Sequence, residues 1–136
     1  MANLKNSNPK TLPAPAGAYS HIAEIEGARK LIVVAGQVAL APDGKVMSPH
    51  DVEKQVAEVY GNVGKALKAA GADWSNVIQM MTFLVRKEDI PKFFAARARE
   101  FPKIFPDGTY PPNTLLVVSA LVNDEIAVEV QAIAAI

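Results

Sequence analysis

The run VIQMMTFLV, residues 77–85, is apolar on both of its alternating faces. A strand covered by helices on one side and wetted on the other alternates apolar with polar residues. Here Val77, Met81, Phe83 and Val85 have one parity, and Ile78, Met80 and Leu84 have the other. Thr114–Val122 repeats the pattern, with Leu115 and Val117 set against Leu116 and Val118. Strands of this kind are expected to be buried on both faces, so the number of helices available to cover them decides the architecture.

Working outward, two helices are expected. Before the run, apolar residues fall at 52, 56, 59, 60, 63, 67 and 70, one helical face that ends at Gly71. Ser48-Pro49-His50-Asp51 supplies its start, with Ser48 as the cap and a proline at the first helical position. After the run, Asp89–Phe101 forms the second, with Pro91 near its start and Phe94, Ala98 and Phe101 on one stripe. Pro102 and Pro106 close it.

Strand-like segments flank these helices. Ala18–Ile25 and the β-branched Lys30–Leu40 precede them, separated by a Glu26-Gly27 turn. Pro42-Asp43-Gly44 marks another turn. At the C-terminal end, Thr114–Val122 and Ile126–Ile136 flank Asn123-Asp124, expected as a hairpin turn. The order is β-β-α-β-α-β-β, an α+β fold with two helices on one face of a mixed sheet. Residues 1–17 are a polar, then Pro/Ala-rich lead-in, and residues 18–136 make a single domain. Two helices cannot cover both faces. Either copies of the chain associate through the second face, the preferred reading, or the sheet curls on itself as a barrel.

Composition narrows the chemistry. The 136 residues carry 14 basic and 14 acidic side chains, so nucleic acid or an anionic membrane is not an expected partner. Without cysteine there are no disulfides, thiolate nucleophiles or Cys-ligated metals. The two histidines, His21 and His50, lack metal-ligand spacing, so neither a metal nor another cofactor is expected. MANLKNSNPK has no apolar leader, and Leu31–Gly36 and Leu115–Val122 are too short to span a bilayer, so a cytoplasmic location is expected.

Few residues offer chemistry. In the last strand Ile126, Val128, Val130 and Ala132 share one face, which leaves Glu129 on the other with Ala127, Gln131 and Ile133. A carboxylate on an uncovered face is either a general acid or base in a cleft, or a rim residue satisfied by a neighbouring chain. Tyr110-Pro111-Pro112 stiffens the entry to Asn113 and Thr114, whose polar groups either read a ligand or cap their own backbone. Gly36 interrupts a strand, as a bulge or a place of close ligand approach. Tyr19 and His21 are single polar rings near a strand start, and packing explains Tyr19, and surface exposure His21, better than function does. Arg97, Arg99 and Lys103 read as a solvated basic face.

Six segments, in order, resemble the Rid family (also called RidA or YjgF, and labelled L-PSP endoribonuclease). They are PAGAYSHIAEI, VVAGQVAL with its P-D-G turn, QVAEVYGNVGKALKAAGA, VIQMMTFLV, FPDGTYPPNT and VEVQAIA, running from Ala14 to the C-terminus. The resemblance implies a chorismate-mutase-like fold and a homotrimer with a barrel-like core and a small-molecule ligand in clefts between subunits. It further implies a hydrolase that deaminates reactive imines and enamines, with Glu129 orienting or activating water and Tyr19 and Gly36 in the cleft. The family's carboxylate-binding arginine lies in a motif like P-x-R-S. Here Pro111-Pro112-Asn113-Thr114 puts asparagine in its place, and Leu115 stands where a small polar residue is usual. Asparagine offers only neutral hydrogen bonds, and a charge-assisted pair is about twice as strong. Substrate-binding expectations therefore fall on Tyr19, Gly36, Asn113, Thr114 and Leu115, with Arg86 and Lys87 as alternative sources of charge. A non-catalytic binding or chaperone-like trimer is the alternative function.

Overall fold

A computed structural model describes residues 2–136. Its elements are β1 (Asn3–Ser7), β2 (Ile22–Glu26), β3 (Leu31–Gln37), α1 (Val52–Ala69), β4 (Val77–Leu84), α2 (Ile90–Ile104), β5 (Asn113–Val117) and β6 (Val128–Ala135). The expected β-β-α-β-α-β-β order is present with one strand added in front. Asn3–Ser7, read from sequence as lead-in, pairs antiparallel with β2 as a separate two-stranded ribbon.

The main sheet runs β3-β6-β4-β5, mixed because β5 lies parallel to β4 while β6 is antiparallel to both its neighbours. A parallel neighbour needs a crossover, which α2 supplies. The expected hairpin at Asn123-Asp124 is therefore not formed. The chain does turn there, with Asn123 Oδ1 accepting from the Glu125 N–H at 2.8 Å, but it delivers β6 to the far side of β4. Gln55, fully buried on α1, fixes that delivery. Its Nε2 donates to the Glu125 carbonyl at 2.9 Å and its Oε1 accepts from the Ala127 N–H at 2.8 Å.

Both helices cover one face of the sheet. Val52, Val56, Val59, Tyr60, Val63 and Leu67 form the buried face of α1, spaced as the sequence requires. Its start lies three residues later than the expected Ser48 cap. Ser48 and His50 take positive φ, so the chain is still turning there, and the Asp51 carboxylate caps the Lys54 N–H at 3.1 Å. At the other end Gly71 has φ +85°, with the Ala72 N–H bonded to the Leu67 carbonyl and the Gly71 N–H to that of Lys68. This double closure satisfies carbonyls that the helix leaves open.

The buried face of α2 also differs from expectation: Phe93, Ala96, Arg97 and Phe101 point inward, while Phe94 and Ala98 are exposed. Pro102 lies inside the helix rather than ending it. Its missing N–H would have bonded the carbonyl of Ala98, at an exposed position where water can take its place. In β4 a register irregularity between Val77 and Gln79 moves Val77 onto the helix face with Met80, Thr82 and Leu84. Part of the two-sided pattern in residues 77–85 is thus a bulge.

Among the described residues the other sheet face carries no helix. Leu31 and Val33 of β3 are 64% and 71% exposed, and Ile133, Met81, Phe83 and Leu116 continue that face across β6, β4 and β5. Among the described residues no helix is long and apolar enough to cross a membrane, and no group of three or more His, Asp or Glu gathers as a metal site.

Candidate functional site

The sequence-predicted residues fall into two groups. The first lines a groove of about 330 Å³ between α2 and the open edge of β5, roofed by residues 16–19. Tyr19, Asn113, Thr114 and Leu115 are all in its wall, joined by Phe94 and Arg97 of α2. The second is Glu129 with Gly36.

Local sequence explains the groove. Pro111 and Pro112 cannot donate hydrogen bonds but can accept: the Pro112 carbonyl takes the Met80 N–H at 2.9 Å and that of Pro111 takes the Ser20 N–H at 3.4 Å. These bonds set the register of β5 on β4 and tie the Tyr19 segment to the same point. Tyr110 anchors the turn by stacking on Phe101, ring centroids 5.4 Å apart. Asn113 is half-buried, and its Oδ1 accepts from the Thr82 hydroxyl at 2.9 Å. Its carbonyl side is thereby engaged, and the amide N–H groups are the donors left for a ligand. Tyr19 packs edge-on against His21 at 5.7 Å, while His21 Nε2 lies 2.7 Å from the Pro13 carbonyl oxygen, so both rings hold the roof.

Glu129 is half-buried on the helix-free face, as the parity of β6 predicts, with Phe83 as its cross-strand partner on β4. On its other side is Gly36, in the irregular stretch of β3 between Val34 and Gln37. A Cβ on Gly36 would collide with the Glu129 carboxylate and stand 2.9 Å from its Cγ. Glycine is needed there because the glutamate lies flat across the backbone. The pair joins two residues 93 positions apart in sequence (129 − 36). The groove lies at the β5 edge on the helix side, whereas Gly36 is on the opposite edge strand, β3, and Glu129 beside it is on the inner strand β6, two strands from β5.

Sequence reasoning missed Arg97. Read as part of a solvated basic face, it is instead 6% exposed. Its guanidinium carbon sits 4.8 Å from the Phe94 ring centroid and 5.5 Å from those of Phe93 and Phe101. Burial lowers its pKa from the ordinary arginine value, with the Tyr60 and Tyr110 phenols opposing the shift. The available signal was the spacing 93, 97, 101, which sets Arg97 on the same stripe as two phenylalanines. The other two cations of that run are indeed at the surface, Arg99 with Glu53 at 3.2 Å and Lys103 with Glu100 at 3.3 Å. Arg86 and Lys87 are exposed on the β4–α2 connection, Arg86 being 3.9 Å from Glu88, and neither lines the groove.

Known proteins share this arrangement of chain. The endoribonuclease L-PSP family matches residues 9–136. A RutC family protein of Synechocystis is 32% identical over 123 residues, 90% of this chain and 88% of its own. The mouse 2-iminobutanoate/2-iminopropanoate deaminase is 30% identical over 122 residues, 90% of this chain and 84% of its own. In three dimensions, a Rid-family protein of unknown function from Yersinia pestis superposes with a TM-score of 0.85 at 25% identity, covering 98% of this chain and 99% of that one.

Proposed function

This chain belongs to the endoribonuclease L-PSP (Rid/YjgF) family, and from that membership we propose that it is an imine/enamine deaminase. It hydrolyses the C=N bond of a small metabolite in clefts between copies of itself. The observation that carries this reading is the separation of the site residues across one sheet. Tyr19, Asn113, Thr114 and Leu115 gather at the β5 edge, Gly36 lies on the β3 edge with Glu129 beside it on the inner strand β6, and neither edge pairs with a further strand among the described residues. A head-to-tail ring brings the β5 edge of one copy to the β3 edge of the next, and such heterologous contacts close when the rotation is right. Three copies is the number the family resemblance implies. The bare face with Leu31 and Val33 supplies apolar surface for that assembly.

In such a cleft the steps are simple. Water adds to the carbon of the protonated imine while Glu129 takes a proton from it. Glu129 returns that proton to the carbinolamine nitrogen and then accepts the hydroxyl proton as the C–N bond breaks, so that ammonia leaves and the carbonyl forms. Positioning supplies much of the effect, and acid–base help from Glu129 contributes about 10²–10⁴-fold. The relatives named 2-iminobutanoate/2-iminopropanoate deaminase support this class of substrate.

The test generates imines in place with an amino-acid oxidase and follows keto acid release. The wild-type chain accelerates release for at least one imine, and Glu129→Gln loses about 10²-fold or more of that acceleration. Asparagine at 113 and leucine at 115 favour a second reading, a ligand-binding trimer without turnover. No acceleration for any imine, together with a ligand-induced rise in melting temperature, would select it.

A further inference from the structure

The asparagine at 113 leaves the groove without the cation expected on β5, yet a cation is present. Arg97 reaches the same wall from α2, beside Asn113 and Leu115. Among the described residues no carboxylate pairs with it. Its immediate neighbours are rings, and cation–π contacts replace only part of the water that burial removes. The roof accommodates it: Gly17 crosses so close that a Cβ would stand 3.0 Å from Arg97 Nη2, and glycine lets the chain pass without displacing the guanidinium. A buried, unpaired guanidinium that lines a groove is poised for an anion.

We propose that Arg97 binds the substrate carboxylate in this protein, with the Asn113 amide as a second donor, and so selects 2-imino acids over neutral imines. The substrate's side chain then lies along Leu115 and Phe94, the apolar part of the wall. The cation has moved from a strand to a helix, so the carboxylate is gripped from the helix side of the groove. The proposal rests on the groove being the substrate site, as argued above.

Binding separates the proposal from turnover. The probes are 2-oxobutanoate, the keto acid that hydrolysis of 2-iminobutanoate releases, and its neutral amide, titrated by calorimetry. The wild-type chain binds the acid at least tenfold more tightly than the amide. Arg97→Gln loses tenfold or more for the acid and less than threefold for the amide, and Arg97→Lys falls between. Because Arg97 also packs among phenylalanines, a measurement without mutation at that site accompanies these. In 15N-labelled protein its Nε–Hε signal, identified by elimination with Arg29→Lys, Arg86→Lys and Arg99→Lys, shifts as the acid is added and not as the amide is. Equal affinity for acid and amide, no binding of the acid, an unshifted signal, or full acid affinity in Arg97→Gln overturns the proposal. Undiminished imine hydrolysis by Arg97→Gln sinks it while leaving the deaminase reading intact. Arg97-dependent acid binding without any hydrolysis upholds it and removes the deaminase reading.

Discussion

The two sides of the main sheet are drawn from the same strands, one residue out of step. Toward the helices stand Ile32, Val34, Val128, Val130, Ala132, Met80 and Leu84, all buried against α1 and α2. Toward the other side stand Leu31, Val33, Glu129, Gln131, Ile133, Met81 and Phe83, exposed or half-buried, and among the described residues no helix covers them. The covered side answers to packing alone and holds hydrocarbon closely. The bare side mixes exposed apolar residues with a carboxylate, a combination that serves a lone domain poorly and an assembly well. The covered side makes the fold and borders the Asn113 groove, while the bare side carries Glu129.

That contrast can be broken at four places. The largest effect belongs to the covered side. Leu67→Ala removes a fully buried side chain beneath α1 and costs about 2–5 kcal/mol in urea unfolding. A loss well under that would mean the helix layer is less essential than its burial indicates. Next comes Gly36→Ala, where a methyl group must displace the Glu129 carboxylate or the β3 backbone, at about 1–3 kcal/mol. Combining it with Glu129→Ala should recover part of that cost, because contacting residues couple by about 0.5–3 kcal/mol. Simple additivity in the double variant would show that the two side chains do not meet.

Smaller effects follow. The Tyr60 hydroxyl is buried on the covered side without a hydrogen-bond partner, and burial pushes its pKa above the usual phenol range. Tyr60→Phe removes an unsatisfied polar group and should leave stability unchanged or raised by up to about 1 kcal/mol. A clear loss would reveal a partner for that oxygen. Last, Val33→Glu changes an exposed position and should alter the unfolding free energy of the dissociated chain by no more than about 0.5 kcal/mol. Its readout is mass: light scattering should find smaller particles than for the wild-type chain, with the same circular dichroism. Unchanged mass would show that the bare side is not where copies meet.

Much of this organisation can be read in the residues, for stated reasons. The α1 stripe and the alternation of β6 are periodic, so burial and the facing of Glu129 follow from spacing. The strand pairing does not follow. Asn123-Asp124 looks like a hairpin turn because local turn chemistry is the same whether the next strand pairs with its predecessor or passes behind it. Pro102 resembles a helix end because the penalty of an interior proline depends on whether solvent reaches the freed carbonyl. The strand at Asn3–Ser7 was hidden because its residues are polar, and its pairing with β2 comes from backbone groups rather than an apolar pattern.

Sequence alone determined which residue types this protein can use. It has no thiol and no metal-ligating histidine pair, one acid facing out of its last strand, and an asparagine where a cation is expected. Tertiary structure decided who meets whom. The Gly36–Glu129 contact joins residues from distant parts of the chain, and Arg97 reaches the Asn113 groove only because α2 crosses over the edge of β5. The reason is range. Periodicity and side-chain chemistry act within a few residues along the chain, whereas the neighbours of a charge are set by strand order and helix crossing, which arise from the packing of the whole.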